Sequence, residues 1–260
     1  MSLRRNDGVG TLAFAPTLLS NLLPLVGVVA LDWRVVEVLT IYWLELGTTF
    51  LVYGVAALFA RRPVVLDGRN LHLPGVSRDT DRRGKWERDP SSVALPGPLP
   101  PVYPRNLRLV RMSLIWGFGF LALPLFGNWG LVGDVLSPAL ALTALAMVAS
   151  HLDQLRREYF GEKQYEEMSA HMVLEIPGRL LFFAACYLAL VGSAGIVLAL
   201  FAVGVDDSNT VLLTAFEAEL AVVTVVVFGM LFVEWSRFRA EHDPDPSGLA
   251  TWFLPENPRE

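Results

Sequence analysis

The chain has little cysteine and little lysine. Its single cysteine, Cys186, lies in an apolar run, so no intramolecular disulfide can form and the redox compartment stays open. We interpret this thiol as packed or lipid-facing rather than reactive, because cysteine is usually buried. Lysine occurs only at Lys85 and Lys163 among 21 basic residues, and the net charge is −5. An acidic, lysine-poor composition hints at a high-GC, salt-adapted host.

Common catalytic and nucleotide-binding motifs are also missing. The sequence contains no GxxxxGK[ST] phosphate loop, no GxSxG nucleophile elbow, no kinase signature and no HExxH zinc motif. Motifs therefore identify no catalytic residue, and any cofactor stays unknown.

Long apolar runs are present instead. Of the 260 residues, 53% are hydrophobic, and the mean hydropathy is +0.44. A helix needs about 20 mainly apolar residues to cross a bilayer. The pattern predicts an all-α membrane protein with six transmembrane helices. The predicted spans are approximately residues 14–31, 36–60, 109–126, 131–150, 180–203 and 211–233.

Three polar segments separate or follow these runs. Residues 61–107 are rich in proline and arginine, and we interpret them as a flexible cytoplasmic loop, with a proline-motif docking site as the alternative. Residues 151–177 alternate apolar and charged positions at helical spacing, which predicts interfacial helices between spans 4 and 5. We expect Pro177-Gly178 to end them. Residues 240–260 form a polar tail.

The distribution of basic residues predicts the orientation. Cytoplasmic flanks of membrane spans carry an excess of lysine and arginine. With six spans, 20 of the 21 basic residues fall in or beside the N-terminus, the 61–107 loop, the 151–179 loop and the C-terminus. The three short turns on the other side carry only Arg34. We therefore expect both termini in the cytoplasm.

Ionisable residues inside apolar spans are candidate functional sites, because their insertion costs about 2.5–3.5 kcal/mol. Glu45 lies near the middle of the second predicted span, Glu217 and Glu219 lie in the outer half of the sixth, and Asn21 lies near the middle of the first. These groups could form a proton- or cation-binding site. Alternatively, a protonated Glu45 forms a hydrogen bond that fixes helix packing.

A second candidate site lies on the predicted cytoplasmic side. His171 and Glu175 are spaced i,i+4 and share one helical face, and His151 lies at the inner end of the fourth span. Two imidazoles and a carboxylate could bind a metal. Ordinary interfacial polar residues would give the same spacing.

Two stretches of the sequence resemble a known family. One is Ser20-Asn21-Leu22-Leu23-Pro24-Leu25-Val26-Gly27 with Val35-Val36-Glu37-Val38-Leu39-Thr40-Ile41-Tyr42-Trp43-Leu44-Glu45. The other is Ser150-His151 with Tyr159-Phe160-Gly161-Glu162-Lys163-Gln164-Tyr165. Both resemble domain of unknown function 6498, a multi-pass prokaryotic membrane family with many haloarchaeal members. The resemblance implies a membrane location and supplies no catalytic residue.

Three functions remain open on this basis. A transporter or channel-like protein would use the buried carboxylates. A membrane-embedded enzyme or metal-binding protein would use the histidine cluster, and a structural membrane scaffold would use neither. We expect the lipid bilayer as partner and no nucleic acid, and a homo-oligomer stays open.

Overall fold

The computed structural model describes residues 14–30, 33–73, 76, 90–97, 99–123, 138–204, 215–243 and 245–257. Over these residues the fold is all-helical, with two isolated bridge pairs and no strand, so the predicted all-α class is confirmed. The helices are α1 (Ala15–Ala30), α2 (Val35–Ala57), α3 (Leu107–Ala122), α4 (Pro138–Gln154), α5 (Ala170–Gly204), α6 (Ala215–His242) and the short α7 (Leu249–Trp252).

The six longer helices overlap the six apolar runs of the sequence. Two helical stretches among the described residues, Val36–Ala57 and Leu220–Ala240, are long and apolar enough to cross a membrane. This finding suggests association with a membrane, while the count of six spans stays a prediction.

The described residues divide into two compact units along the chain. The first draws on residues 1–39 and 182–254, and in it α1 packs against α6. The Phe14 ring, just before α1, meets Trp235 edge-on with the ring centres 5.0 Å apart and lies 5.4 Å from Phe238.

The second unit draws on residues 40–181 and 255–260 and contains a continuous apolar core. This core combines the end of α2, the polar loop that follows it, the start of α3, the segment after α4 and the start of α5. Its best-buried members include Ala56, Phe59, Val65, Leu73, Leu109, Tyr159, Val173 and Leu174. Some residues of the predicted flexible loop 61–107 are therefore packed, although several of their neighbours are exposed. The buried ones are Pro63, Val64, Val65, Arg69, Leu73, Tyr103 and Asn106.

Side chains and amides from distant segments cap the end of α2. A helix leaves its last four carbonyls without partners inside the helix. Asn106 Nδ2 donates to the carbonyls of Ala57, at 3.0 Å, and Ala60, at 2.8 Å. The Tyr159 hydroxyl donates to the Ala56 carbonyl at 3.1 Å, and the Tyr103 amide donates to the Leu58 carbonyl at 2.9 Å. The proline-rich loop thus returns to the helix it left and closes its end.

The segment between α4 and α5 differs from the prediction of interfacial helices. A π-helical turn (Leu155–Phe160) and a 3-10 turn (Gln164–Glu166) replace the expected helix, and α5 then runs through Pro177 without a break. Proline removes one backbone hydrogen bond from a helix. Here Pro177 is almost fully buried, as are residues 170–175 of the same helix. Tertiary packing therefore supports α5 across the proline.

Candidate functional site: a buried ionic cluster

The first turns of α5 place three titratable side chains on one face. The Ser169 hydroxyl accepts a hydrogen bond from the Met172 amide at 3.3 Å, as N-cap residues commonly do. His171, Glu175 and Arg179 follow at intervals of four residues, so they stack along one side of the helix. All three side chains are at most 4% exposed.

Glu175 is the centre of this group. Its Oε1 atom accepts a hydrogen bond from Arg179 Nε at 3.1 Å and a second from Arg179 Nη2, so two nitrogens of one guanidinium donate to the same oxygen. Its Oε2 atom accepts a hydrogen bond from Arg69 Nη1 at 3.0 Å. The Nδ1 atom of His171 lies 3.7 Å from the same oxygen, an electrostatic contact too long for a hydrogen bond.

Arg69 reaches the cluster from the loop after α2. Its Nε atom donates to the Val65 carbonyl, and its side chain is 2% exposed. The arginine spans 106 residues in sequence to reach Glu175. It therefore fixes the loop to the start of α5.

Glu256, in the C-terminal tail, completes the group. Its Oε1 atom lies 3.3 Å from Arg179 Nη2, and its carboxylate also accepts hydrogen bonds from Asn70. We call Arg69, His171, Glu175, Arg179 and Glu256 the ionic cluster. Two guanidinium groups face two carboxylates in it, so its charge balances when His171 is neutral.

Burial and pairing shift the pKa values in opposite ways. Burial disfavours the Glu175 carboxylate, but its contacts with His171 and Arg179 outweigh burial and lower its pKa below 4.5. Burial lowers the pKa of His171 below 6.5 against the opposing effect of Glu175. Each group has a lower pKa in the folded chain than in the unfolded chain. At a pH between these two values, the unfolded chain binds more protons than the folded chain. Stability should therefore fall as pH decreases through these windows.

This arrangement is better suited to holding structure than to proton transfer. A general base at neutral pH works best with a pKa near the operating pH. The lowered pKa of Glu175 makes its carboxylate a weak base, and guanidinium donors already engage both of its oxygens. What the cluster does is join three segments that lie far apart in sequence.

The predicted metal-binding residues are only partly brought together. His171 and Glu175 are neighbours, whereas His151 Nε2 lies 3.4 Å from Thr49 Oγ1 on α2. Within the part of the chain that the structure describes, no three His, Cys, Asp or Glu side chains are grouped so as to hold a metal ion. Arginine occupies the place beside Glu175 that a cation would need.

The predicted carboxylate site within the apolar helices is only partly visible. Glu45 is half-buried near the middle of α2. Asn21 lies in α1, and Glu217 and Glu219 lie in the first turn and a half of α6, but the side chains of these three fall outside the described residues. Their convergence with Glu45 stays a prediction.

Sequence reasoning missed Arg69, Arg179 and Glu256. The i,i+4 spacing of Glu175 and Arg179 was a usable signal, because a glutamate four residues before an arginine forms a favourable helical pair. Arg69 lies 106 positions from Glu175, and Glu256 lies 77 positions from Arg179. Pairings over such distances leave no local pattern in the sequence.

Comparison with known proteins gives a family and no function. Residues 4–95 match the family described as Family of unknown function (DUF6498), so the predicted domain of unknown function 6498 is confirmed for this part of the chain. The second stretch of the resemblance, within residues 150–165, lies outside the match. No curated protein and no solved structure matches the chain.

Proposed function

We propose that the protein is a multi-pass membrane scaffold: six helices lie in the bilayer with both termini in the cytoplasm, and the packed segments between the helices of the second unit, with the end of the tail, form a cytoplasmic cap. We define this cap as residues 58–73, 102–106, 155–179 and 255–257. The observation that carries the scaffold assignment is the ionic cluster. Its charged groups satisfy one another and tie the loop after α2, the start of α5 and the C-terminal tail together.

Exposed apolar side chains support the membrane part of the proposal. Soluble proteins rarely leave large contiguous apolar patches in water. Here α1 to α6 each carry exposed large hydrophobic residues, among them Leu19, Leu51, Trp116, Leu142, Leu190 and Phe228. The segments of the cap, by contrast, direct their apolar residues into a core.

The positive-inside rule supports a cytoplasmic cap. The cap carries Arg61, Arg62, Arg69, Arg105 and Arg179, whereas the three short turns predicted on the other side hold only Arg34.

Labelling of single cysteines tests the orientation. In a Cys186→Ser background, Asp67→Cys places a thiol on an exposed position of the cap, and Asp207→Cys places one in a predicted outer turn. A membrane-impermeant maleimide should label position 207 in intact cells and position 67 only after permeabilisation. Labelling of position 67 from outside would overturn the proposed topology.

A transporter or channel-like protein is the second candidate, and Glu45 favours it. A carboxylate at mid-length of an apolar helix that could span a membrane is a functional candidate by default. In proteoliposomes, Glu45→Gln would then abolish a proton or cation flux that the wild type supports. The control is Glu37→Gln, because Glu37 accepts a hydrogen bond from the Arg34 amide at the start of the same helix. If the wild type shows no flux and Glu45→Gln changes only the thermal stability, the transporter proposal is refuted and the scaffold proposal is retained.

A further inference from the structure

The carboxylate of Glu256 is bound by several donors. The Asn70 amide lies 2.9 Å from Oε2 and 3.2 Å from Oε1, Asn70 Nδ2 lies 3.1 Å from Oε1, and Arg179 Nη2 lies 3.3 Å from Oε1. Asn70 is 186 residues away in sequence. A backbone amide, a side-chain amide and a guanidinium that converge on one carboxylate have the composition of an oxyanion-binding site.

The charge of this site depends on Glu256. Arg69 and Arg179 are 2% and 4% exposed, and Glu175 supplies one negative charge between them. Glu256, whose side chain is 23% exposed, supplies the second. If the tail leaves, a net positive charge stays in a buried position, which is costly unless another anion replaces the carboxylate.

The cluster also contains a donor that no group among the described residues engages. Arg69 Nη2 is buried and has no hydrogen-bond partner among the described residues. Buried donors in native proteins are nearly always satisfied, by water or an ion where no protein group serves. A tetrahedral oxyanion offers more acceptor oxygens than a carboxylate, and arginine forks suit phosphate.

We propose that Asn70, Arg179 and Arg69 form a phosphate-binding site that the chain's own Glu256 fills, so that the C-terminal tail acts as an internal competitor. The ligand is a phosphate group, either inorganic phosphate or the phosphomonoester headgroup of a lipid at the membrane surface. The site does not depend on the scaffold assignment, because its geometry is given by the second unit alone.

Thermal unfolding of the full chain in zwitterionic detergent tests this proposal. Wild type and Glu256→Ala are compared in sodium phosphate and in sodium chloride of matched ionic strength. Glu256→Ala should unfold at a lower temperature than wild type in chloride. Saturating phosphate should raise its Tm by about 5 °C and leave the wild type almost unchanged. No rise for Glu256→Ala, or an equal rise for both proteins, would overturn the proposal.

Two further variants keep the test specific. Glu256→Ala with Asn70→Asp places a negative charge at an exposed position of the site and should lose the phosphate effect without loss of folding. Glu256→Ala with Asp153→Asn changes an exposed ion pair elsewhere and should keep it. Phosphate stabilisation that persists in the Asn70→Asp protein would place the ion elsewhere and refute the site.

The source of the phosphate is distinguished in nanodiscs prepared without free phosphate. If discs that contain phosphatidic acid stabilise Glu256→Ala relative to discs of phosphatidylcholine alone, a lipid headgroup reaches the site. If only added inorganic phosphate does so, the ligand is soluble. Absence of both effects contradicts the proposal.

Discussion

Removal of the charge at Glu175 should reveal how much the ionic cluster contributes to stability. Arg69 and Arg179 lie 3.0 and 3.1 Å from the Glu175 carboxylate, and all three side chains are at most 4% exposed. In Glu175→Gln the two guanidiniums lose this shared counterion in a buried position. Breaking a buried ion pair by removing one partner costs about 3–5 kcal/mol. Since native proteins are stable by only about 5–15 kcal/mol, a loss of this size removes a large share of the total.

The matched control is an exposed ion pair of the same length. Arg157 Nη2 and Asp153 Oδ2 also lie 3.0 Å apart, but their side chains are 69% and 57% exposed. Exposed pairs contribute about 0.2–1 kcal/mol, because solvent screens them and because ordering two side chains is unfavourable. Asp153→Asn should therefore be nearly neutral. Distance alone predicts equal effects, whereas burial predicts a difference of at least about 2 kcal/mol.

The assay is reversible unfolding in mixed detergent micelles, with SDS as the denaturant and tryptophan fluorescence as the signal. The free energies of unfolding of wild type, Glu175→Gln and Asp153→Asn are compared at pH 7.5. The reasoning is refuted if Glu175→Gln costs no more than Asp153→Asn. That result would mean that water reaches the cluster and screens its charges.

Three further predictions follow from other contacts. His171→Gln should flatten the loss of stability that the wild type shows as pH falls below about 6.5, because the pKa of His171 is lowered in the fold; an unchanged pH profile of Tm would count against this. Asn106→Ala should cost about 1–3 kcal/mol in SDS unfolding, since two buried carbonyls lose their donor, and a neutral result would mean that water replaces it. Gly117→Ala should cost about 1–3 kcal/mol, because the added Cβ would lie 2.6 Å from the Phe50 ring; Gly119→Ala, whose Cβ would meet nothing within 4 Å, should show no such overpacking, and equal losses would contradict the argument.

The helices were predictable from sequence because their signal is local. Each apolar run is a property of about 20 consecutive residues, and α1 to α6 overlap the six runs. The wrong predictions concern positions where contacts with distant segments override a local sequence rule. Pro177 was expected to end a helix, yet α5 continues through it and packs it in the interior of the second unit.

The site was less predictable for the same reason. His171 and Glu175 could be paired by their spacing, and the structure places them 3.7 Å apart. The spacing suggested a metal site because it cannot show which side chain of a distant segment contacts Glu175. Arg69 supplies the cation to Glu175, and no pattern within the loop that carries it points to a partner 106 residues away.

The arginines of this chain serve two purposes that sequence alone treats as one. The positive-inside rule counts Arg61, Arg69, Arg105 and Arg179 only as charges near the ends of helices. In the structure Arg69 and Arg179 neutralise a buried carboxylate, and Arg105 donates to the Arg61 carbonyl beyond the end of α2. Lysine could supply the charge but not the fork of donors that engages a carboxylate oxygen twice. Arg179→Lys should therefore destabilise the fold even though the charge is unchanged.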